Sequence, residues 1–312
     1  MLNSIGKTKQ LVMLSGKGGT GKTSLSAAFA QLSHLPEYGI QPVFVDADVD
    51  AANLSLVLNP VLGSPQEFWG GSLARINPNL CTGCGACVPV CRYDAVLPDK
   101  DEKSVYWIDP VACDGCAACV YVCPEQAIQM VQQQEGNWFQ STTPYGTLFH
   151  AELFPGRENS GKLVTLVKQQ ARLWAEDIKT PLILLDGPPG IGCPVIAACA
   201  GADLALIVTE PSLAGLHDLK RVLGTLNHFR VPSMLCINKA DIYPEGVQQI
   251  KAFAAEQELK ILGEIPFDEK IPQAMLQGVS VTECYPDSPA SLSIRKIWGQ
   301  LIQQLNGCEE AS

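Results

Sequence analysis

Short aliphatic and β-branched runs alternate along the chain with helix-length segments. Residues 11–14, 43–46, 182–186, 204–209, 234–238 and 261–265 read as strands, and the stretches between them are long enough to cross back over a sheet. This predicts an α/β fold built on a mostly parallel sheet. A helical pattern runs over 162–176 behind the cap-like pair Asn159-Ser160. A second, over 291–305, is amphipathic and is expected to pack on the core, since it leads to Glu309-Glu310 and not to a basic, membrane-seeking run. Between the second and third strands lie far more residues than the ~30 of an ordinary βα unit. An insertion is therefore placed at 62–150, dividing the chain into a first part (1–61), an insert (62–150) and a second part (151–312).

Composition narrows the class. A chain of 312 residues with 46% hydrophobic and 17% charged positions is neither disordered nor fibrous, and has length for about two domains. Formal charge is −10, which works against non-specific nucleic-acid binding and against an anionic membrane surface. No apolar run approaches the ~18 residues of a span, so no stable membrane anchor is expected. Nor is there a secretory h-region at the start. Of 13 cysteines, eight lie between Cys81 and Cys123, a clustering that suggests metal and not a disulfide scaffold. A reducing cytoplasm fits these features.

The first strand runs into Ser15-Gly16-Lys17-Gly18-Gly19-Thr20-Gly21-Lys22-Thr23, a glycine-rich turn that opens a helix and can aim backbone N–H groups at phosphates. Lys22 would reach the β and γ phosphates, and the Thr23 hydroxyl would sit on Mg2+. Val45-Asp46-Ala47-Asp48-Val49-Asp50 places carboxylates at the end of the next strand, where ligands of open α/β sheets bind. The apolar run to Asp186-Gly187-Pro188-Pro189-Gly190 reads as a strand ending in an acidic residue and a Gly/Pro turn, with Asp186 on a Mg2+ water and Gly187 or Gly190 donating to the γ phosphate. Asn238-Lys239-Ala240-Asp241 closes a later strand in the manner of a base-reading loop. Asp241 keeps GTP as an option beside ATP.

The second lysine of the loop, Lys17, marks a deviant Walker A motif, and here the chain resembles the MinD/ParA/Mrp class of P-loop ATPases, which includes the nitrogenase iron protein. The resemblance implies a nucleotide-sandwich homodimer in which Lys17 touches the partner's ATP, much as an arginine finger does. It also implies that Asp48 orients the attacking water, that Asp46 supports Mg2+ through its water shell, and that Asn238, Pro266 and Asp268 contact the adenine.

Cys81-x-x-Cys84-x-x-Cys87-x-x-x-Cys91 is followed by Cys113-x-x-Cys116-x-x-Cys119-x-x-x-Cys123-Pro124, the spacing of bacterial two-cluster ferredoxins, in which the fourth cysteine of each run serves the other cluster. One 4Fe-4S cluster would take Cys81, Cys84, Cys87 and Cys123, the other Cys91, Cys113, Cys116 and Cys119. Arg92 stands where proline often follows the fourth cysteine. Zinc sites usually separate their Cys-x-x-Cys halves more widely. The runs also resemble each other, so the insert is an internal repeat. The whole resembles MinD-superfamily ATPases with an inserted ferredoxin domain, often labelled cobyrinic acid a,c-diamide synthase-like; Thr143-Pro144-Tyr145-Gly146 and Glu158 to Lys162 are further matching segments. No glutaminase half accompanies that label here.

Cys193, seven residues after Asp186, matches a cluster-ligand position of the nitrogenase iron protein, but no second ligand accompanies it and a small buried thiol is the expectation. Cys199, Cys236, Cys284 and Cys308, and the dispersed His34, His150, His217 and His228, form no metal or catalytic set. The function expected is ATP-gated electron transfer from two 4Fe-4S clusters to a redox protein partner. The rivals are a cluster assembly or carrier ATPase resembling Mrp, and a MinD-like positioning or redox-sensing switch.

Overall fold

The structure, a computed structural model, describes residues 7–99, 105–156 and 160–307. Its strands are β1 (Lys9–Ser15), β2 (Val43–Asp46), β3 (Gln66–Ile76), β4 (Val96–Pro98), β5 (Tyr106–Ile108), β6 (Ile128–Thr143), β7 (Gly146–Leu153), β8 (Leu182–Pro189), β9 (Leu204–Thr209), β10 (Ser233–Asn238) and β11 (Lys260–Ile265). The helices are α1 (Lys22–His34), α2 (Leu54–Leu58), α3 (Ala118–Val122), α4 (Ser160–Asp177), α5 (Cys193–Cys199), α6 (Leu213–His228), α7 (Pro244–Glu256), α8 (Lys270–Leu276), α9 (Val281–Cys284) and α10 (Pro289–Gly307). Two compact units result: residues 1–66, 138–152 and 160–312, and residues 67–137 with 153–159.

In the first unit six parallel ladders join strands in the order β11-β10-β9-β1-β8-β2-β7. β1, β2, β8 and β9 are near-continuous runs of buried Val, Ile, Leu and Phe because helices cover both faces of such a sheet. On one side α1 and α10 meet through Phe29 and Trp298, whose ring centroids lie 4.9 Å apart. The apolar stripe of α10, Ile294, Ile297, Trp298, Leu301 and Leu305, is fully in this core. Glu309-Glu310 and Cys308, and the Glu158-Asn159 part of the segment before α4, lie outside the described residues.

The structure alters two expectations. Residues 62–66 and 138–150, assigned above to the insert, belong to the first unit: β7 pairs in parallel with β2 through Phe44↔Leu148 and Val45↔Phe149, and these paired residues are buried. The run Leu148-Phe149-His150-Ala151 is short and was not legible as a strand beside the glutamine-rich stretch before it. Second, β8 does not turn at Asp186 but continues to Pro189, with a register shift against β1 between Met13 and Ser15; the turn comes at Gly190, at φ +89°.

The second unit has few apolar groups to bury. Ala74, Cys87, Val96, Cys119 and Ile128 form its core, so two cysteines are core residues themselves. β3 and β6 are neighbours, and β4 and β5 form a small antiparallel pair.

Candidate functional site

The phosphate loop links β1 to α1. Gly21 holds φ +92°, and a Cβ there would come 2.3 Å from Asn238 Nδ2, so conformation and space both demand glycine. A Cβ on Gly16 would meet the Cβ of Asp218 on α6 at 2.1 Å, whereas Gly18 faces open space. Asp186 gathers the start of α1 beneath the loop. Its Oδ1 accepts from Lys22 Nζ (3.0 Å) and Ser26 Oγ (2.9 Å), its Oδ2 from Thr23 Oγ1 (2.7 Å). These are hard oxygen and ammonium groups, and Thr23 with Asp186 supplies the donors Mg2+ prefers.

Asp46 lies directly opposite Asp186 in the β2–β8 ladder. Burial, and then the neighbouring Asp186, push its carboxyl well above the usual range, while backbone N–H groups and Lys22 oppose them. The carboxylate accepts from Asp48 N (3.2 Å) and Leu54 N (2.9 Å), so it ties the end of β2 to the start of α2. Asp48 is raised as well, chiefly by burial; Lys22 works against the shift and Asp186 with it. A carboxylate so tuned is better suited to accept a proton from water.

Lys17 pairs with Glu210, the residue after β9, and does not extend freely from the loop. Lys239 Nζ also reaches Glu210 (3.2 Å) and the carbonyl of Gly19 (3.1 Å). Burial tends to raise the Glu210 carboxyl, but the two lysines outweigh it and hold the group below its ordinary value. Asn238 braces the loop: its amide donates to Thr20 O (2.7 Å) and accepts from Lys239 N (3.0 Å). Gly190 N donates to Ser15 O (3.0 Å), so that N–H is engaged with the backbone in this structure. Pro266 and Asp268 flank Phe267, whose N–H donates to Asp241 Oδ1 (2.6 Å). Asp241 thus anchors the loop expected to run along the base. Asp268 Oδ1 accepts from Lys270 N (3.0 Å), while its Oδ2 is buried without a partner.

The two cysteine runs form two separate cavities in the second unit. Cys81, Cys84, Cys87 and Cys123 line one, with Ile76, Ala127 and Ile128. Cys91, Cys113, Cys116 and Cys119 line the other, with Ala74, Val96 and Ile108. In each set the fourth cysteine of one run joins the first three of the other. The repeat extends to the backbone at a spacing of thirty-two residues: Gly83 and Gly115 (φ +69° and +75°), Gly85 and Ala117 (+72° and +62°), Asp94 and Gln126 (+50° and +49°) are all left-handed. It extends to hydrogen bonds too, since Ala95 N donates to Cys91 Sγ and Ala127 N to Cys123 Sγ, both at 3.3 Å. Burial, with neighbouring thiols adding, pushes the Cys87 and Cys119 thiols up. Soft thiols around apolar pockets, with N–H groups aimed at sulfur, fit a 4Fe-4S cluster. Among the described residues no three His, Cys, Asp or Glu side chains converge as a single metal ion would require. A cubane spreads its ligands over separate corners and does not need such convergence.

Cys193 corrects an expectation: it is exposed, because it opens α5, whose buried face begins at Val195. Cys199 and Cys236 are buried and Cys284 is half-buried. Glu210, Ser26 and Asp218 belong to the site although the motifs did not mark them, and Lys239, part of the expected base-reading loop, instead holds Glu210 and the Gly19 carbonyl. Ser26 stands one helical turn from Thr23, and Glu210 at the carboxyl end of a parallel strand, so both had a positional signal.

A model of the CobQ/CobB/MinD/ParA nucleotide binding domain matches residues 11–281. The Methanocaldococcus jannaschii protein MJ0578 is 32% identical over 96% of this chain and 99% of its own length. The cytosolic Fe-S cluster assembly factor NBP35 of Eremothecium gossypii is 31% identical over 37% of this chain and 40% of its own. Among solved structures, the septum site-determining protein MinD of Pyrococcus horikoshii, complexed with Mg-ADP, aligns with a TM-score of 0.55 at 20% identity, covering 94% of this chain and 96% of that one. At that identity the likeness bears on the fold alone. No helix among the described residues is long and apolar enough to cross a membrane.

Proposed function

Because the chain belongs to the CobQ/CobB/MinD/ParA nucleotide-binding family, we propose that it is a Mg2+-dependent ATPase whose second unit binds two 4Fe-4S clusters, and that its nucleotide state gates electron transfer to a redox protein partner. The observation that carries this reading is the pair of cavities, each walled by one complete crossed set of four cysteines. Lys22 holds the β and γ phosphates, Thr23 and Asp186 hold Mg2+ with Asp46 behind them, and Asp48 orients the attacking water. Lys17 acts across a nucleotide-sandwich homodimer, where it offsets charge on the transferred phosphoryl group. Asn238, Pro266 and Asp268 lie along the adenine, and Asp241 acts on the loop and not on the base. When bound, 4Fe-4S clusters supply one-electron chemistry. The protein's own part there is to supply thiolates, N–H donors and apolar walls that set a potential.

Anaerobic purification followed by an EPR-monitored redox titration, with and without MgATP or a non-hydrolysable analogue, tests this. About eight irons per chain and a nucleotide-dependent shift in potential or in the rate of acceptor reduction are expected; 59 mV is a factor of ten for one electron. Zinc in place of iron, or cluster behaviour indifferent to nucleotide in both measurements, would sink it. The partial likeness to NBP35 favours a second reading, in which a cluster is cargo passed to an apo-acceptor. That reading expects labile iron beyond the eight, lost on adding the acceptor.

A further inference from the structure

We infer that Glu210 is a positioning residue that latches Lys17 within its own chain, and that opening this latch is the step that couples self-association to hydrolysis. The inference rests on the proposed action of Lys17 across a dimer. A carboxylate beside a phosphate-binding loop opposes the anion that loop is built to hold, so its place needs another reason. Both oxygens of Glu210 are committed to ammonium groups, one to Lys17 and the other to Lys239. Its backbone is fixed, because its carbonyl accepts from Ser212 N (2.8 Å) and sits where a Cβ on Gly215 would be 2.2 Å away. Glu210 is thus a rigid post, and Lys17, on the loop, is the movable member. While paired, the Lys17 ammonium is held to its own chain.

Lys239 explains why opening is feasible. A largely buried carboxylate left alone is costly. When Lys17 swings away, Glu210 keeps Lys239, which is held in turn by the Gly19 carbonyl and sits in a left-handed backbone at φ +54°. The pair of lysines makes the latch releasable, so Lys239 should assist dimer formation while Glu210 resists it.

The test uses the full chain with Glu210→Gln, Lys239→Gln and Lys17→Met. Self-association with a non-hydrolysable ATP analogue is read by sedimentation, nucleotide affinity by fluorescence at low protein concentration, and kcat at saturating protein concentration. Two latches open per dimer, so Glu210→Gln should tighten the dimer on the order of tenfold. Lys239→Gln should weaken the dimer roughly threefold or more. An unchanged or weakened dimer in Glu210→Gln overturns the latch, as does an unweakened dimer in Lys239→Gln. The Lys239 arm stands even where Glu210→Gln fails to fold. If Lys17→Met dimerises and hydrolyses like the parent, the cross-dimer reading itself fails; if Lys17→Met is impaired and the other two behave as the parent, only the latch does.

Discussion

At the scale of the residue, the site is governed by which charges are buried beside which. Asp186 is 1% exposed and faces Lys22, Thr23 and Ser26, so its charge is matched by donors on every side but that of Asp46. A buried histidine away from this site carries a measurable consequence. His150 is 3% exposed on β7, stacks on Phe139 at 5.0 Å and meets Ser141 Oγ at 2.9 Å. Burial pushes its pKa down to about 4. The unfolded chain takes up the proton near the ordinary value of about 6.5, so between these pH values the unfolded state binds more protons. Stability from the neutral ring is fully present above about pH 6.5 and is lost as pH falls towards 4, on the order of 3 kcal/mol. Urea midpoints at pH 7 and pH 4.5 should therefore differ more in the parent than in His150→Gln.

At the scale of the element, the cysteine repeat is a backbone device as much as a ligand set. Each Cys-x-x-Cys-x-x-Cys run turns twice through left-handed geometry, and the second turn uses Gly85 in one copy and Ala117 in the other. Alanine at φ +62° is strained by roughly 1 kcal/mol and glycine is not. Ala117→Gly should accordingly stabilise the second unit or leave it unchanged, while Gly85→Ala should destabilise it by about 1 kcal/mol or more, its Cβ also falling 3.2 Å from the Tyr106 hydroxyl. Thermal melts of the full chain, with hydrogen exchange resolving the second unit, check both signs. β7 teaches a complementary lesson. It is a buried parallel strand, but its sequence, with polar residues on either side, carries too little periodicity to stand out from a hairpin of the insert.

At the scale of the whole molecule, two units of unequal self-sufficiency share one chain. The first buries a large aliphatic core around a seven-strand parallel array. The second has fewer than eighty residues and a core in which cysteine stands beside alanine, valine and isoleucine. A domain of that size rarely holds together on its apolar surface alone and usually needs a staple. With the proposed clusters as that staple, chelation under anaerobic conditions should unfold the second unit while the first keeps its stability and nucleotide affinity; hydrogen exchange resolves the two. Protection of 67–137 that survives chelation would show that the second unit does not depend on metal. The sequence by itself determined the chemistry of spacing: glycines and lysines set for a phosphate, carboxylates at strand ends, and two interlocked sets of four thiols. These are legible because each is local, a motif of a few residues whose geometry follows from one turn or one strand end. Only the tertiary structure decided that β7 belongs to the nucleotide unit, that Cys193 is exposed, and that Glu210 holds Lys17 and Lys239. The first and last of these depend on residues brought together across large separations in the chain, where no periodicity or spacing records the contact, and the second on where the buried face of α5 begins.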